Sequence, residues 1–527
     1  MAVASTLEGV EAPAAVNKWA VAVAVAVGAL LEIVDTSIVN VALSDMQASL
    51  GATLSQVGWV VTSYGIANVI ILPLSAWLGN RFGKKNYFLF SLVGFTVASA
   101  LCGLATSLPL LIAARVLQGL TGGGLLAKAQ AILFETFPKS EQAMAQGFFG
   151  AIVIAGPAIG PTLGGYIVTN IGWRWIFFIN LPIGLVAMFL VVTALAPDDP
   201  KKLLRSRVDW TAIALLAIGI GSFQTFLEEG NSDDWFESRF ITALAATAFV
   251  GLSTFIVRTL GSDAPVVDLR VLRYRSLWAG SILSIVVGMA LYGALFAVPI
   301  FAQHILGLTS QETGMLLLPG ALTSAFAMPI AAKLNSKLDP RHILVGGALI
   351  LVSAILMLAH LSPQTGADDF YWPLIIRAFG TVCMFLPLQL ASLAPVPRED
   401  VAAATGLFNL TRQLGGSMGV AILTTMLEKR QAYHFATIGE RLVSSDPRTM
   451  ERVELLTRAM AARGAGVGEA RAQALRLLDG SVRVQASVMS FADTFWATAI
   501  LVVGVLPLVF LLGKPDRGAA KVELGGH

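Results

Sequence analysis

Residues 150–165 read Gly150-Ala-Ile-Val-Ile-Ala-Gly156-Pro157-Ala-Ile-Gly160-Pro161-Thr-Leu-Gly164-Gly165. No charge interrupts them, and they lie inside an apolar block running from about residue 144 to 168. A helix needs about 20 such residues to cross the hydrocarbon core of a bilayer. Gly156, Gly160 and Gly164 recur every four residues, which places them on one helix face as a smooth stripe for close approach of a second helix. Pro157 and Pro161 each remove a backbone donor and kink or loosen the helix. A helix built this way can pack tightly in one state and repack in another. Residues 156–165, Gly165 included, therefore read as a gating element, with an ordinary small-residue interface as the simpler alternative.

Moving outward, this block is one of fourteen, near 19–41, 57–78, 87–107, 109–133, 144–168, 175–195, 208–227, 240–260, 277–304, 313–332, 342–361, 371–394, 402–426 and 490–512. The whole chain of 527 residues is 56% hydrophobic and only 13% charged, with a mean hydropathy of +0.74. A water-soluble fold could not hide that much apolar surface. Strand alternation is absent, so helices are the spanning element and the fold class is all-α membrane. The net charge of +3 gives no reason to expect nucleic acid as a partner. Cys102 and Cys383 both fall in apolar blocks, so no disulfide framework is expected. The first block is too long for a signal-peptide core and carries two acids, so it reads as a retained span.

Charge between the blocks sets an orientation. Arg81, Lys84 and Lys85 follow the second block, Lys201, Lys202, Arg205 and Arg207 the sixth, and Lys333, Lys337 and Arg341 the tenth. The connections after blocks 1, 3, 9 and 11 hold no Lys or Arg. Basic loops stay cytoplasmic, so both termini are expected inside. The basic stretch 428–487 then lies outside; at about 60 residues it is long enough to escape that rule. Its composition around 449–479 suggests an amphipathic helix or hairpin beyond the membrane.

The chain also repeats itself. Gly147, Phe149, Gly156 and Gly160 match Gly406, Phe408, Gly415 and Gly419; Arg115 matches Arg377; and the run from Pro73 resembles that from Pro329, all at an offset of about 260 residues. Three segments in order at nearly one offset imply two similarly oriented halves of six helices. The expected organisation is a cytoplasmic N-terminus (1–18), a first half (19–195), an inserted two-helix hairpin with its linkers (196–275), a second half (276–512) containing the long outer segment, and a cytoplasmic tail (513–527).

Few residues in the apolar blocks carry chemistry. Glu32 and Asp35 stand three residues apart on one face of the first helix. A carboxylate at mid-membrane costs roughly 2.5–3.5 kcal/mol on insertion scales, so it faces a cavity or a partner. Its proton affinity follows its surroundings, which suits a carrier that opens to alternate sides; hydrogen bonding to neighbouring helices is the plainer alternative. Arg115, a permanent charge in the fourth block, needs an anionic or carbonyl partner, either to tune proton release or as a structural ion pair. Asn40, Gln118, Arg377 and Arg412 are weaker candidates for a substrate cavity. Asn80, Arg81, Gly83, Lys84 and Lys85 form a basic turn suited to helix C-termini and carboxylates at the cytoplasmic face. The five histidines show no metal-ligand spacing. Gly119-Leu-Thr-Gly-Gly-Gly lacks the Lys-Ser/Thr of a P-loop, and no nucleophile elbow or CxxC is present. An enzyme is not expected, nor a cofactor; a proton gradient is left as the driver.

These residues resemble the major facilitator superfamily, in its fourteen-span drug:proton antiporter branch (EmrB/QacA type). Leu31-Glu-Ile-Val-Asp35-Thr-Ser-Ile-Val-Asn40 looks like the first-span signature, Gly79-Asn80-Arg81-Phe-Gly83-Lys84-Lys85 like the cytoplasmic gate loop, Arg115-Val-Leu-Gln118-Gly119 like the fourth-span motif, and Gly156 to Gly165 like the antiporter motif. Trp173-Arg-Trp-Ile-Phe-Phe-Ile-Asn180-Leu-Pro182 is also similar to this branch. Asn80 stands where the gate loop usually has an acid, and the block 402–426 lacks the acid some members carry. The resemblance implies proton coupling at Asp35 with Arg115 assisting, Glu32 being added by its place on the same helix face, and export of hydrophobic drugs or toxic compounds across a bacterial inner membrane by alternating access. A lipid, fatty-acid or other specific-metabolite exporter is the first alternative, and a proton-coupled importer or a polytopic membrane enzyme stands further off. By analogy, the segment 428–487 could meet a periplasmic membrane-fusion adaptor leading to an outer-membrane channel.

Overall fold

Polar residues placed just before apolar runs start many of the helices. Asn17 accepts hydrogen bonds from the Trp19 and Ala20 amides, and Thr53 with Gln56, and Thr309 with Glu312, close reciprocal capping boxes. The coordinates are a computed structural model that describes residues 17–203, 208–362, 364–442 and 446–513. Arg205, Arg207 and the tail beyond 513 lie outside these.

In the first half, α1 (Lys18–Ile38) passes through a 3-10 turn into α2 (Leu43–Leu50), followed by α3 (Leu54–Phe82), α4 (Lys84–Leu104), α5 (Leu108–Gly122), α6 (Leu125–Thr136), α7 (Gln142–Asn170), the short α8 (Trp175–Phe178) and α9 (Asn180–Ala194). The hairpin is α10 (Trp210–Glu229) and α11 (Arg239–Leu260). The second half holds α12 (Arg275–His304), α13 (Ser310–Lys337), α14 (Pro340–Leu358), α15 (Tyr371–Leu393), α16 (Val401–Arg441), α17 (Pro447–Ala462) and α18 (Val467–Val505). Among the described residues, twelve helical stretches are long and apolar enough to cross a membrane. Helices α7 and α16, of 29 and 41 residues, pack within the same bundle. Phe249 and Phe326 are 74% exposed on its flanks, which suits lipid and not water.

The repeat in the sequence is one contact made twice. Helix α7 lies on α1, and α16 lies on α12. A Cβ at Gly164 would come 2.6 Å from Ile38 Cγ1, and one at Gly156 or Gly160 would overlap Ile33 or Ser37. In the other half a Cβ at Gly419 would come 2.6 Å from Met289 Cα, and one at Gly415 would overlap the Ile285 backbone. Gly165 stands apart from this stripe, with nothing within 4 Å of its would-be Cβ. Helix α7 runs unbroken through positions 157 and 161; the side chains of Pro157 and Pro161 lie outside the described residues.

Three boundaries differ from the sequence reading. The fourth block is broken at Gly123-Gly124, where Gly124 adopts φ +74°. The basic turn expected over 79–85 shrinks to one residue: Gly79 and Asn80 remain helical, and Gly83 alone, at φ +94°, separates α3 from α4. The block read as 402–426 belongs to a helix that continues to Arg441. Ala, Arg, Glu and Leu in the polar stretch sustain helix without needing an apolar environment, so much of 428–487 is helical, with α17 packed on α18. Asp493 ties α18 to α16 by accepting from Arg430 Nε at 2.5 Å and His434 Nε2 at 2.7 Å.

Candidate functional site

Asp35 is fully buried, and its partners come from two other helices, α5 and α9. Arg115 Nη1 donates to Oδ2 at 2.5 Å, while Gln118 Nε2 and Asn180 Nδ2 donate to Oδ1 at 2.9 and 2.8 Å. Arg115 is held in turn by Gln118 Oε1 at 2.7 Å and the Val60 carbonyl at 2.9 Å. Its guanidinium lies 4.2 Å from the Tyr64 ring centroid. A buried carboxylate and guanidinium survive together only with this density of hydrogen bonds, because desolvation otherwise outweighs their attraction. Asn180 also reaches Ser99 Oγ at 3.0 Å, which links α4 to the same cluster. Asn180 stood in the sequence motif with no role attached; only the fold brings it to Asp35.

Glu32 has different partners. The break at Gly123-Gly124 leaves the first amides of α6 without intrahelical acceptors. Glu32 Oε2 accepts from one of them, Leu126 N, at 2.9 Å, and Oε1 accepts from Asn68 Nδ2 at 2.7 Å. An anion at a helix N-terminus is favoured by the helix dipole, so Glu32 caps α6 from another helix. The three-residue spacing could place Glu32 beside Asp35, but could not show that a broken helix would meet it. Lys128 of α6 is also buried: its Nζ donates to Ser91 Oγ at 2.6 Å and sits 3.9 Å from the Tyr87 ring centroid. The sequence reading passed over it because it lies among apolar residues with no motif.

Between the halves is a cavity of about 790 Å3 whose walls include Glu32, Asn40, Arg115, Arg377 and Arg412. Gln118, expected in that wall, sits behind the Asp35–Arg115 pair instead, because it bonds both members of it. The hairpin, read from sequence as an insertion between the halves, also reaches the cavity through Gln224 and Glu228 of α10. Gln224 Nε2 donates to Glu228 Oε1 at 2.6 Å and to Ser417 Oγ at 2.7 Å. The cavity extends to the end of the bundle that holds Asn231 and Glu428. At the opposite end the halves are joined: Asn409 Nδ2 donates to Gln130 Oε1 at 2.7 Å and Gln389 Nε2 to Gln146 Oε1 at 3.3 Å. Arg412 donates to Asn409 Oδ1 at 2.7 Å.

At that closed end the basic residues work as helix clamps. Lys84 pairs with Glu135 of α6. Lys85 Nζ donates to the Leu195 and Val192 carbonyls at 2.6 and 2.8 Å, which are C-terminal acceptors of α9. Asp198 caps α4 through the Lys85 and Asn86 amides at 3.2 and 3.0 Å. Arg81 stacks 5.6 Å from the Trp77 ring centroid. Among the described residues no group of three or more His, Cys, Asp or Glu side chains could hold a metal ion.

Known proteins share this design. The sequence profile of the Major Facilitator Superfamily matches residues 25–420. The chain is 33% identical over 506 residues to Multidrug export protein EmrB of Escherichia coli (strain K12), covering 96% of this chain and 97% of that protein. It is 31% identical over 497 residues to Fatty acid resistance protein FarB of Neisseria gonorrhoeae, covering 94% and 96%. Its fold matches the human organic anion transporter MFSD10 with a TM-score of 0.54 at 14% identity, over 92% of this chain and 99% of that one. It also matches a bacterial homologue of the human lysosomal transporter Spinster, with a TM-score of 0.51 at 16% identity, over 94% and 95%. The chain therefore belongs to the Major Facilitator Superfamily, in its drug:proton antiporter branch, and is a transporter, not an enzyme.

Proposed function

We propose that this protein is a proton-driven exporter of hydrophobic drugs or toxic compounds that works by alternating access in a bacterial inner membrane, with fourteen spans and both termini in the cytoplasm. The observation that carries the proposal is the Asp35–Arg115 pair, buried beside the cavity that separates the two halves. An acid there stands where a proton can reach it from the cavity, with the guanidinium as its bonded partner. In the proposed orientation the cavity faces outward and the Gln130–Asn409 and Gln146–Gln389 contacts close the cytoplasmic side. The name of the Escherichia coli relative supports multidrug export. No cofactor enters the cycle; the proton gradient supplies the energy. The outer segment 428–487 is the proposed docking surface for a periplasmic adaptor.

The test is Asp35→Asn in cells challenged with toxic hydrophobic compounds, at matched expression. Loss of resistance and of pH-driven efflux is expected; full efflux by the variant would overturn the proton role of Asp35. A second reading, export of an amphipathic carboxylate, is favoured by the two arginines of the cavity wall, Arg377 and Arg412, and by the name of the Neisseria relative.

A further inference from the structure

The two halves treat their matching arginines differently. Arg115 is saturated: an acid, an amide side chain, a carbonyl and an aromatic face surround it. The side chain of Arg377, its counterpart in the repeat, makes no hydrogen bond or ion pair with any described residue. It is only 7% exposed and lines the central cavity, and its Nε is buried without an acceptor.

The repeat explains how this arose. Gly156 meets Ile33 in one half and Gly415 meets Ile285 in the other. The register that matches Ile33 with Ile285 carries Asp35 onto Val287, a buried apolar residue. Helix α12 contains no Asp or Glu at all. The second half carries the arginine without the acid.

A guanidinium cannot shed its proton to escape burial, and an uncompensated buried charge is among the costliest features a fold can carry. A resting site of this kind is completed by an anion. The surroundings specify what sort. Leu291, Phe296, Leu317, Phe385 and Val420 share the cavity wall, so the space beside the charge takes an apolar body. We propose that Arg377 anchors an anion subsite that holds the carboxylate head of an amphipathic monoanion, with its tail in the apolar part of the cavity. This rests on reading the cavity as the substrate site.

The test is isothermal titration of the purified full-length protein in a non-ionic detergent with octanoate, octanol, octyltrimethylammonium, acetate and chloride. Octanoate is expected to bind about tenfold or more tightly than octanol or the cation, as a charged hydrogen bond adds to the shared tail. Arg377→Gln is expected to weaken octanoate about tenfold to a hundredfold and to leave octyltrimethylammonium unchanged, with Arg377→Lys intermediate. Equal binding of the three eight-carbon probes to the native protein would overturn the proposal, and needs no variant to fold. So would octanoate binding indifferent to Arg377→Gln, loss of all ligands together in that variant, or acetate and chloride competing as well as octanoate, which would mark a site for a small ion only. The readout does not depend on transport. Octanoate binding through Arg377 in a protein that shows no pH-driven efflux would sink the transport reading and leave the subsite standing.

Discussion

Asp35 and Glu32 are one helical turn apart, yet their environments differ. Asp35 is compensated by a charge, so removing Arg115 strands a buried carboxylate. Arg115→Ala should destabilise the protein by about 3–5 kcal/mol, and Asp35→Asn in the same chain should recover part of that loss; thermal unfolding of the single and double variants measures both. Glu32 is compensated by a helix terminus. Glu32→Ala should cost about 0.5–2 kcal/mol, the range for a lost N-cap, while Glu32→Gln, which keeps an acceptor, should cost less in the same assay. The first pair of carboxylates was legible in the sequence because acids inside an apolar block are rare. Their separate roles were not, because the partners Asn68, Leu126 and Asn180 are contributed by remote segments and none of them breaks a pattern.

At the scale of helices, the glycine stripe is where the sequence spoke most directly. A four-residue period of glycine has one geometrical meaning, and the structure places Gly156, Gly160 and Gly164 against α1. Gly160→Val should force α7 from α1, lowering stability by about 1–3 kcal/mol through overpacking and abolishing efflux. Gly165→Ala should be neutral or stabilising by up to about 1 kcal/mol, since nothing crowds that position. A matched pair of thermal shifts with a transport assay separates the two. Helix ends were harder to read. A single left-handed residue, Gly83, was enough to divide α3 from α4 where the sequence suggested a loop, and hydropathy could not reveal that α16 continues past its apolar portion. Apolar patterning reports the environment of a helix; its length also depends on propensity and caps.

For the whole molecule, few polar contacts hold the halves together at the closed end. Each is worth about 0.5–1.5 kcal/mol, so they can be exchanged between states without a large barrier in stability. Removing Asn409 should shift the population toward the opposite state by about threefold to tenfold. Asn40, exposed at the cavity wall, offers the reporter: labelling of Asn40→Cys by a membrane-impermeant maleimide should slow, by at most that factor, when Asn409→Ala is added. Unchanged labelling would mean that these contacts do not set the balance.

The inserted hairpin makes the two sides of this molecule unequal. Two six-helix halves that part around a central space leave two seams facing the lipid. Helix α10 packs on α3 of one half and α16 of the other, and Trp235 Nε1 adds a bond to Thr425 Oγ1 at 2.9 Å. One seam is therefore roofed over by protein, while the other, between α7 and α13, has no such cover among the described residues. A compound dissolved in the membrane therefore meets two unlike seams, one covered by the hairpin and the other closed by the packing of α7 on α13.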